Sequence, residues 1–290
     1  MTLSTINTNG TLLIETDQLA RRIGDPSWIL FDCRFNLADP AWGRNEYAKG
    51  HIPSALYAHL DEDLSSPVGP KTGRHPLPDP VTLSAKLGQW GVDTGTQVVV
   101  YDDAGGVFAV RLWWLLRWLG HQRVAVLNGG LGAWLAEARV LDQSTPTPAP
   151  HDFSGNAQHS AWISTEVLEN NLETGHYLVL DARVPERFRG EMEPIDPVAG
   201  HIPGAINMPL SENLGADGRF LTPDKLRTRF ISVLDTTPTD RVVHQCGSGV
   251  NACHNLLAME LAGFPGSKLY AGSWSEWIRS TERAVATGNE

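Results

Sequence analysis

The feature that most restricts what this chain can fold into is that it is written twice. Ile14-Glu15-Thr16-Asp17-Gln18-Leu19, followed by Ile29-Leu30-Phe31-Asp32-Cys33-Arg34, recurs 149 residues later as Ile163-Ser164-Thr165-Glu166-Val167-Leu168, followed by Leu178-Val179-Leu180-Asp181-Ala182-Arg183. Gly50-His51-Ile52-Pro53-Ser54-Ala55 recurs 150 residues later as Gly200-His201-Ile202-Pro203-Gly204-Ala205. Self-similarity at a fixed offset means one structural unit used twice. In each copy helical patterns alternate with short β-branched runs, the signature of a parallel sheet covered by helices. The expected fold class is therefore α/β, with two tandem domains, each a parallel sheet flanked by helices. The divisions fall at 1–143 and 160–290, joined by a Pro-rich linker over 144–159, where Thr145-Pro146-Thr147-Pro148-Ala149-Pro150 favours an extended strap. A chain of 290 residues is long enough for two such cores. The run Leu112-Trp113-Trp114-Leu115-Leu116 is apolar all round, which predicts a helix buried against both its own sheet and the other domain.

The copies differ where chemistry is expected. Arg241-Val242-Val243 reads as a buried strand, Gly247 and Gly249 permit a tight loop, and His254 to Glu260 continues as a helix. Cys246 stands at the change from strand to helix. There, backbone N–H groups and the positive end of the helix dipole converge, an arrangement that favours a thiolate and holds an anion beside it. The alternative is a small buried hydrophobe, the usual fate of a lone cysteine. Aligning Gly106-Val107-Phe108-Ala109 with Gly249-Val250-Asn251-Ala252 puts Asp103 opposite Cys246. A carboxylate cannot serve as a sulfur nucleophile, so the first domain is expected to be non-catalytic and the second to carry the reaction.

Composition narrows the partners. A formal net charge of −10 argues against nucleic acid and anionic membranes. The first twenty residues lack a basic cluster and an apolar core, so no signal peptide is expected, and no stretch is long enough to span a bilayer. Three cysteines, Cys33, Cys246 and Cys253, do not form a disulfide framework, and a reducing, cytoplasmic setting is expected. His244 and His254 flank two of them without a recurring zinc spacing, so no metal is assigned and both histidines read as structural. Cys253 reads as a buried structural thiol one or two turns into the helix.

Paired Gly-His-Ile-Pro segments, one loop cysteine in the second half, Cys246-Gly247-Ser248-Gly249-Val250, and the closing Gly272-Ser273-Trp274-Ser275-Glu276-Trp277 together resemble the two-domain sulfurtransferases of the rhodanese superfamily. The resemblance covers nearly the whole chain, and in its loop it is similar to the 3-mercaptopyruvate sulfurtransferases. It implies that Cys246 is the nucleophile and that Arg187, in Arg187-Phe188-Arg189-Gly190, grips the donor. It also implies that loop residues Gly247, Gly249, Val250 and Asn251 line the donor site, and that Ser248 joins a relay with His75 and Asp61 of the first domain. Arg183 reads equally as a substrate contact or as an ion-pair partner of Asp181 or Glu186. Two positions depart from the family: Asp196 replaces a second arginine, which leaves donor choice open, and Asn251 replaces a threonine.

The expected reaction is transfer of sulfane sulfur from a small donor, 3-mercaptopyruvate before thiosulfate, through a Cys246 persulfide to a thiophilic acceptor such as cyanide, a thiol or thioredoxin, with no cofactor. The uncharged Gly247 and Ser248 suit a carboxylate donor better than dianionic thiosulfate. The rivals are a non-enzymatic persulfide carrier and a cysteine phosphatase. The latter needs an arginine six positions after the cysteine, where this chain has Ala252.

Overall fold

The computed structural model describes residues 11–289; the expectation about a leader at the chain's start falls partly outside them. The first unit contains β1 (Leu13–Ile14), α1 (Thr16–Ala20), β2 (Trp28–Asp32), α2 (Trp42–Lys49), β3 (Ala55–Tyr57), α3 (Pro80–Gln89), β4 (Gln97–Tyr101), α4 (Ala109–Trp118), β5 (Val124–Leu127) and α5 (Gly130–Ala136). The second contains β6 (Trp162–Ile163), α6 (Thr165–Thr174), β7 (Leu178–Asp181), α7 (Pro185–Phe188), β8 (Ile206–Asn207), α8 (Pro223–Leu234), β9 (Val242–Gln245), α9 (Ala252–Leu261), β10 (Lys268–Tyr270) and α10 (Ser273–Trp277). Each forms a five-stranded, wholly parallel sheet, ordered β1-β5-β4-β2-β3 and β6-β10-β9-β7-β8, the same order twice. The expected pair of helix-flanked parallel sheets is what the chain builds.

The central strands β4 and β9 are buried along nearly their whole length, as strands covered on both faces by helices must be. Helix starts follow local chemistry: Asp79 caps α3 through the Thr82 N–H with Pro80 at the first helical position, and Ser164 caps α6 through the Val167 N–H. The open end of a parallel sheet lies at the carboxyl ends of its strands, which is where a ligand crevice forms. Cys246 directly follows β9 and takes that position.

The two units share one apolar core. Leu112, Trp113, Leu115 and Leu116 of α4 cluster with Leu226 and Phe230 of α8 and with Leu256 and Leu257 of α9. Arg117 and Glu260 pair at 2.9 Å across the α4–α9 contact. The all-round apolar helix is thus buried on two sides, as its composition demands. Each such side chain contributes roughly 1.5–3 kcal/mol relative to exposure, so separating the units would sacrifice much of the stability of both. Between the sheets the Pro-rich strap has no regular structure, yet it is tied down: His151 N–H donates to Gly88 O at 2.8 Å, Asn156 N–H to Leu119 O at 2.8 Å, and Phe153 is buried in the shared core.

Candidate active site

Gly249 adopts φ +77°, and a Cβ there would collide with the Ala271 carbonyl, so only glycine permits this turn. The turn aims the Gly249 N–H at Cys246 Sγ, 3.2 Å away. The loop is fixed from behind by the Gly272–Trp277 segment. Ser273 Oγ accepts from Cys246 N at 3.1 Å, Trp274 N–H donates to Cys246 O at 3.0 Å, and Ser275 N–H to Gly247 O at 2.9 Å. Cys246 is 2% exposed, yet it lines a cavity of about 230 Å³ with Leu60, Arg74, His75, Phe108, Arg183, Arg187, Gly247, Ser248, Val250 and Asn251. That volume fits a donor of a few heavy atoms.

The cavity lies between the domains, and the first domain supplies a relay. Ser248 Oγ is 2.7 Å from His75 Nδ1, and His75 Nε2 is 3.1 Å from Asp61 Oδ1. An ionised carboxylate only accepts, so Nε2 carries the proton and Nδ1 accepts from the Ser248 hydroxyl. Burial pushes the His75 pKa down, opposed by the hydrogen bond to Asp61, while that bond holds Asp61 below its ordinary value. The imidazole is therefore neutral near pH 7, poised to take a proton from Ser248. The three residues singled out from sequence meet in the fold, His75 and Ser248 across 173 positions of chain.

Arg111 holds this junction from beneath. Its guanidinium is fully buried and donates to His75 O at 3.0 Å, Gly249 O at 3.1 Å and Leu64 O at 3.4 Å. It thereby ties the histidine loop of one domain to the cysteine loop of the other. Burial draws its pKa down, with the sulfurs of Cys253 and Cys246 opposing that shift.

Arg187 also lines the cavity, its guanidinium paired with Glu193 at 2.7 Å and with Asp196 at 3.1 Å. Arg74, from the loop that carries His75, also pairs with Asp196. Arg183 makes a two-pronged pair with Asp181, at 2.7 Å for Nη2, and donates to Gly200 O at 2.8 Å. Arg34, Asp32 and Gly50 repeat that arrangement in the first domain, which has no cysteine at its loop. The Asp-x-Arg pair therefore serves the fold in both domains, and in the second domain Arg183 also lines the cavity and faces Glu193 at 3.5 Å.

The chain matches the model of the rhodanese-like domain twice, over residues 15–137 and 164–280. It belongs to the rhodanese family. It is 51% identical over 279 residues to a probable 3-mercaptopyruvate sulfurtransferase of Pseudomonas aeruginosa, an alignment covering 96% of this chain and 98% of that one. It is 38% identical to a putative thiosulfate sulfurtransferase of Mycobacterium tuberculosis, covering 96% and 98%. Among solved structures, the 3-mercaptopyruvate sulfotransferase SseA of Escherichia coli superposes with a TM-score of 0.79 at 31% identity, covering 91% of this chain and 99% of that one.

Comparing the two halves of this rhodanese corrects one alignment. In the sheets, Asp32 pairs with Tyr101 and Asp181 with Gln245, so the residue opposite Cys246 is Asp102, not Asp103. The helix ends of the loops align as expected, but the first loop is one residue longer, which misplaces an alignment anchored on the helix. Asp102 is wholly buried. Its carboxylate accepts from Ala104 N at 2.8 Å, Gly106 N at 2.8 Å, Phe108 N at 2.7 Å and Ala109 N at 2.9 Å. The first-domain loop thus turns four of its backbone N–H groups onto its own side chain.

His244 in β9 and Cys253 and His254 in α9, which flank the second loop, are buried. His244 Nε2 meets Met259 Sδ at 3.1 Å and burial pushes its pKa down to about 3; His254 Nε2 meets Gly105 O at 3.1 Å and burial pushes it to about 4. Cys253 is buried, its Sγ 3.5 Å from Gly249 O, and burial pushes the thiol up to about 12. It lies in the first turn of α9, because the helix begins at Ala252, earlier than the apolar pattern suggests. Arg74 and Arg111 escaped the sequence reading. The only sequence signal for Arg74 was its adjacency to His75, and for Arg111 a charge inside an otherwise apolar helix.

Proposed function

We propose that this enzyme is a sulfurtransferase that takes sulfane sulfur from 3-mercaptopyruvate onto Cys246 and passes the resulting persulfide sulfur to a thiophilic acceptor. The observation that carries the reading is Cys246 Sγ under the Gly249 N–H, in a cavity whose walls supply arginines on one side and the Ser248–His75–Asp61 relay on the other.

In the first step the Cys246 thiolate attacks the donor sulfur. The S–S bond forms as the C–S bond breaks, and the electron pair of that bond goes to the departing pyruvate enolate. The enolate needs one proton, and the proton carried by the transferred sulfur balances it, leaving an anionic persulfide and pyruvate. Ser248, hydrogen-bonded to neutral His75, is placed to carry that proton. The first-domain cradle indicates how the outer sulfur would be held: Phe108 and Ala109, whose N–H groups grip the Asp102 carboxylate, correspond to Asn251 and Ala252 at the start of α9. In the second step the acceptor attacks the outer sulfur, and the Cys246 thiolate leaves. Cyanide, a small thiol or a reduced thioredoxin would serve, and a reducing compartment would keep Cys246 free.

Thiosulfate is the second reading. It uses the same cysteine and cradle, but its leaving group, sulfite, departs without a proton and makes the relay idle. A built relay therefore favours mercaptopyruvate.

Incubation with mercaptopyruvate alone, followed by mass spectrometry, is expected to add one sulfur atom to Cys246 and to release one equivalent of pyruvate. Addition elsewhere, or no addition with either donor, would refute the reading.

The pH profile gives a second check. His75 must be neutral to accept from Ser248, so turnover with mercaptopyruvate falls as the pH drops through its pKa. Burial places that limb below imidazole's ordinary 6.5. Asp61→Asn removes the carboxylate that opposes burial, and the limb is expected to move further to acid. A profile that does not shift in this variant rules out His75 as the titrating group.

A further inference from the structure

The family resemblance leaves a gap at Asp196, where a donor-binding arginine is replaced by an acid. The structure shows what stands in its place. Asp196 pairs at once with Arg187 of its own domain and with Arg74 of the other. Both guanidinium groups converge on the residue after the nucleophile. A Cβ built on Gly247 would lie 2.8 Å from Arg74 Nη2 and 3.6 Å from Arg187 Nη1 and Nη2. Gly247 is thus the floor of a two-arginine cleft beside Cys246, and any side chain there would fill it.

Arg74 is held without being used up. Its backbone is anchored to the second domain, since Arg74 N–H donates to Ser275 Oγ at 3.0 Å and Gly73 N–H to Glu276 Oε2 at 3.3 Å. Of its side-chain donors Nη1 engages Asp196, while Nη2 is the atom that lies against Gly247 at the cavity lining. A guanidinium nitrogen placed there can donate to an anion beside Cys246. Its side chain is 25% exposed, against 4% for Asp196, so the acid lies behind the arginine and not in front of it.

We propose that Arg74 is a donor-binding residue supplied by the first domain, and that Asp196 sets donor choice by cancelling one of the two charges that Arg74 and Arg187 present. The inference rests on the sulfurtransferase reading above. Three cavity-side arginines, Arg74, Arg183 and Arg187, face three carboxylates, Asp181, Glu193 and Asp196. Such a wall can grip the single carboxylate of mercaptopyruvate through directed hydrogen bonds, but it offers no surplus charge to a dianion. Coulomb energy scales with the charge of the ligand, so a change at Asp196 acts on a dianion as the square of its effect on a monoanion.

The test uses the whole enzyme with mercaptopyruvate and thiosulfate in parallel, and cyanide as acceptor. Asp196→Asn keeps the shape and an acceptor for Arg74 while removing the charge. It is expected to lower KM about tenfold for mercaptopyruvate and about a hundredfold for thiosulfate, with kcat little changed. The ratio of kcat/KM values then moves about tenfold toward thiosulfate. Arg74→Gln is expected to raise KM for mercaptopyruvate about tenfold while saturating turnover stays within about threefold, since the loop holding His75 is fixed by its backbone. A thermal melt accompanies each variant, because a merely structural ion pair would shift the melt and leave the donor ratio alone. If the wild type loads Cys246 but Asp196→Asn keeps the donor ratio, or Arg74→Gln keeps KM, this assignment is overturned and the sulfurtransferase reading stands. If the wild type loads from neither donor, both fall.

Discussion

Replacing Cys246 by serine is expected to reduce sulfur transfer to cyanide by at least about 10³-fold with either donor, because the hydroxyl is neither ionised near neutral pH nor able to form a persulfide. The fold should survive. Serine is close in size, its oxygen can accept the Gly249 N–H that now meets Cys246 Sγ, and the loop is held from behind by Ser273, Trp274 and Ser275 through backbone contacts that do not involve the sulfur. A melting temperature within about 3 °C of the parent is expected, corresponding to about 1 kcal/mol or less for a chain of this size. Retained transfer in a folded variant would remove Cys246 from the mechanism. A collapsed melt would mean that the thiol also holds the loop together.

The second large effect concerns the relay, and it separates the two donors. Ser248→Ala and His75→Asn are each expected to lower kcat with mercaptopyruvate by roughly 10²–10³-fold, the range for losing a positioned proton carrier. With thiosulfate the loss should be less than about threefold, because sulfite leaves without a proton. The measurement is steady-state kinetics with both donors on one preparation of each variant. An equal loss with both donors would mean that the Ser248–His75 bond only shapes the loop. The geometry favours the selective outcome: Ser248 is held at 2.7 Å by a neutral imidazole whose far side is fixed by Asp61, an arrangement that orients a proton but adds no charge to the cradle.

The surroundings of Cys246 are built from both domains although only the second has a cysteine at its loop. The first domain contributes Arg74 and His75 to the lining of a cavity whose cysteine loop belongs to the second, and Asp61 and Arg111 hold His75 from behind that lining. Its own equivalent loop is closed on Asp102, whose carboxylate accepts four of the loop's backbone N–H groups.

How far the chain could be read without coordinates depended on the range of the physics involved. The repeat, the alternation of helix and strand, the turn at Gly249 and the place of Cys246 between β9 and α9 are all local. They follow from which residues tolerate a positive φ, which pack on a pleated surface and which end a helix, and all were legible. Ser248, His75 and Asp61 were legible only through likeness to relatives, because nothing within a few residues of His75 requires it to meet a serine 173 positions away. The alignment of Asp103 with Cys246 failed by one residue, because a loop can absorb an extra residue without changing the helix after it. The strand register, fixed by interstrand hydrogen bonds, was needed to show that Asp102 is the true counterpart.

Sequence by itself determined that two α/β units exist, that only the second has a cysteine at its loop, and that this cysteine stands between a strand and a helix. Tertiary structure alone decided which charges surround that loop. Asp196 in isolation is an acid where the family has an arginine; folded, it pairs across the domain boundary with Arg74, whose guanidinium lies against Gly247. Charge acts through space at distances of a few ångströms, and positions 74 and 196 come that close only once two cores have packed into one.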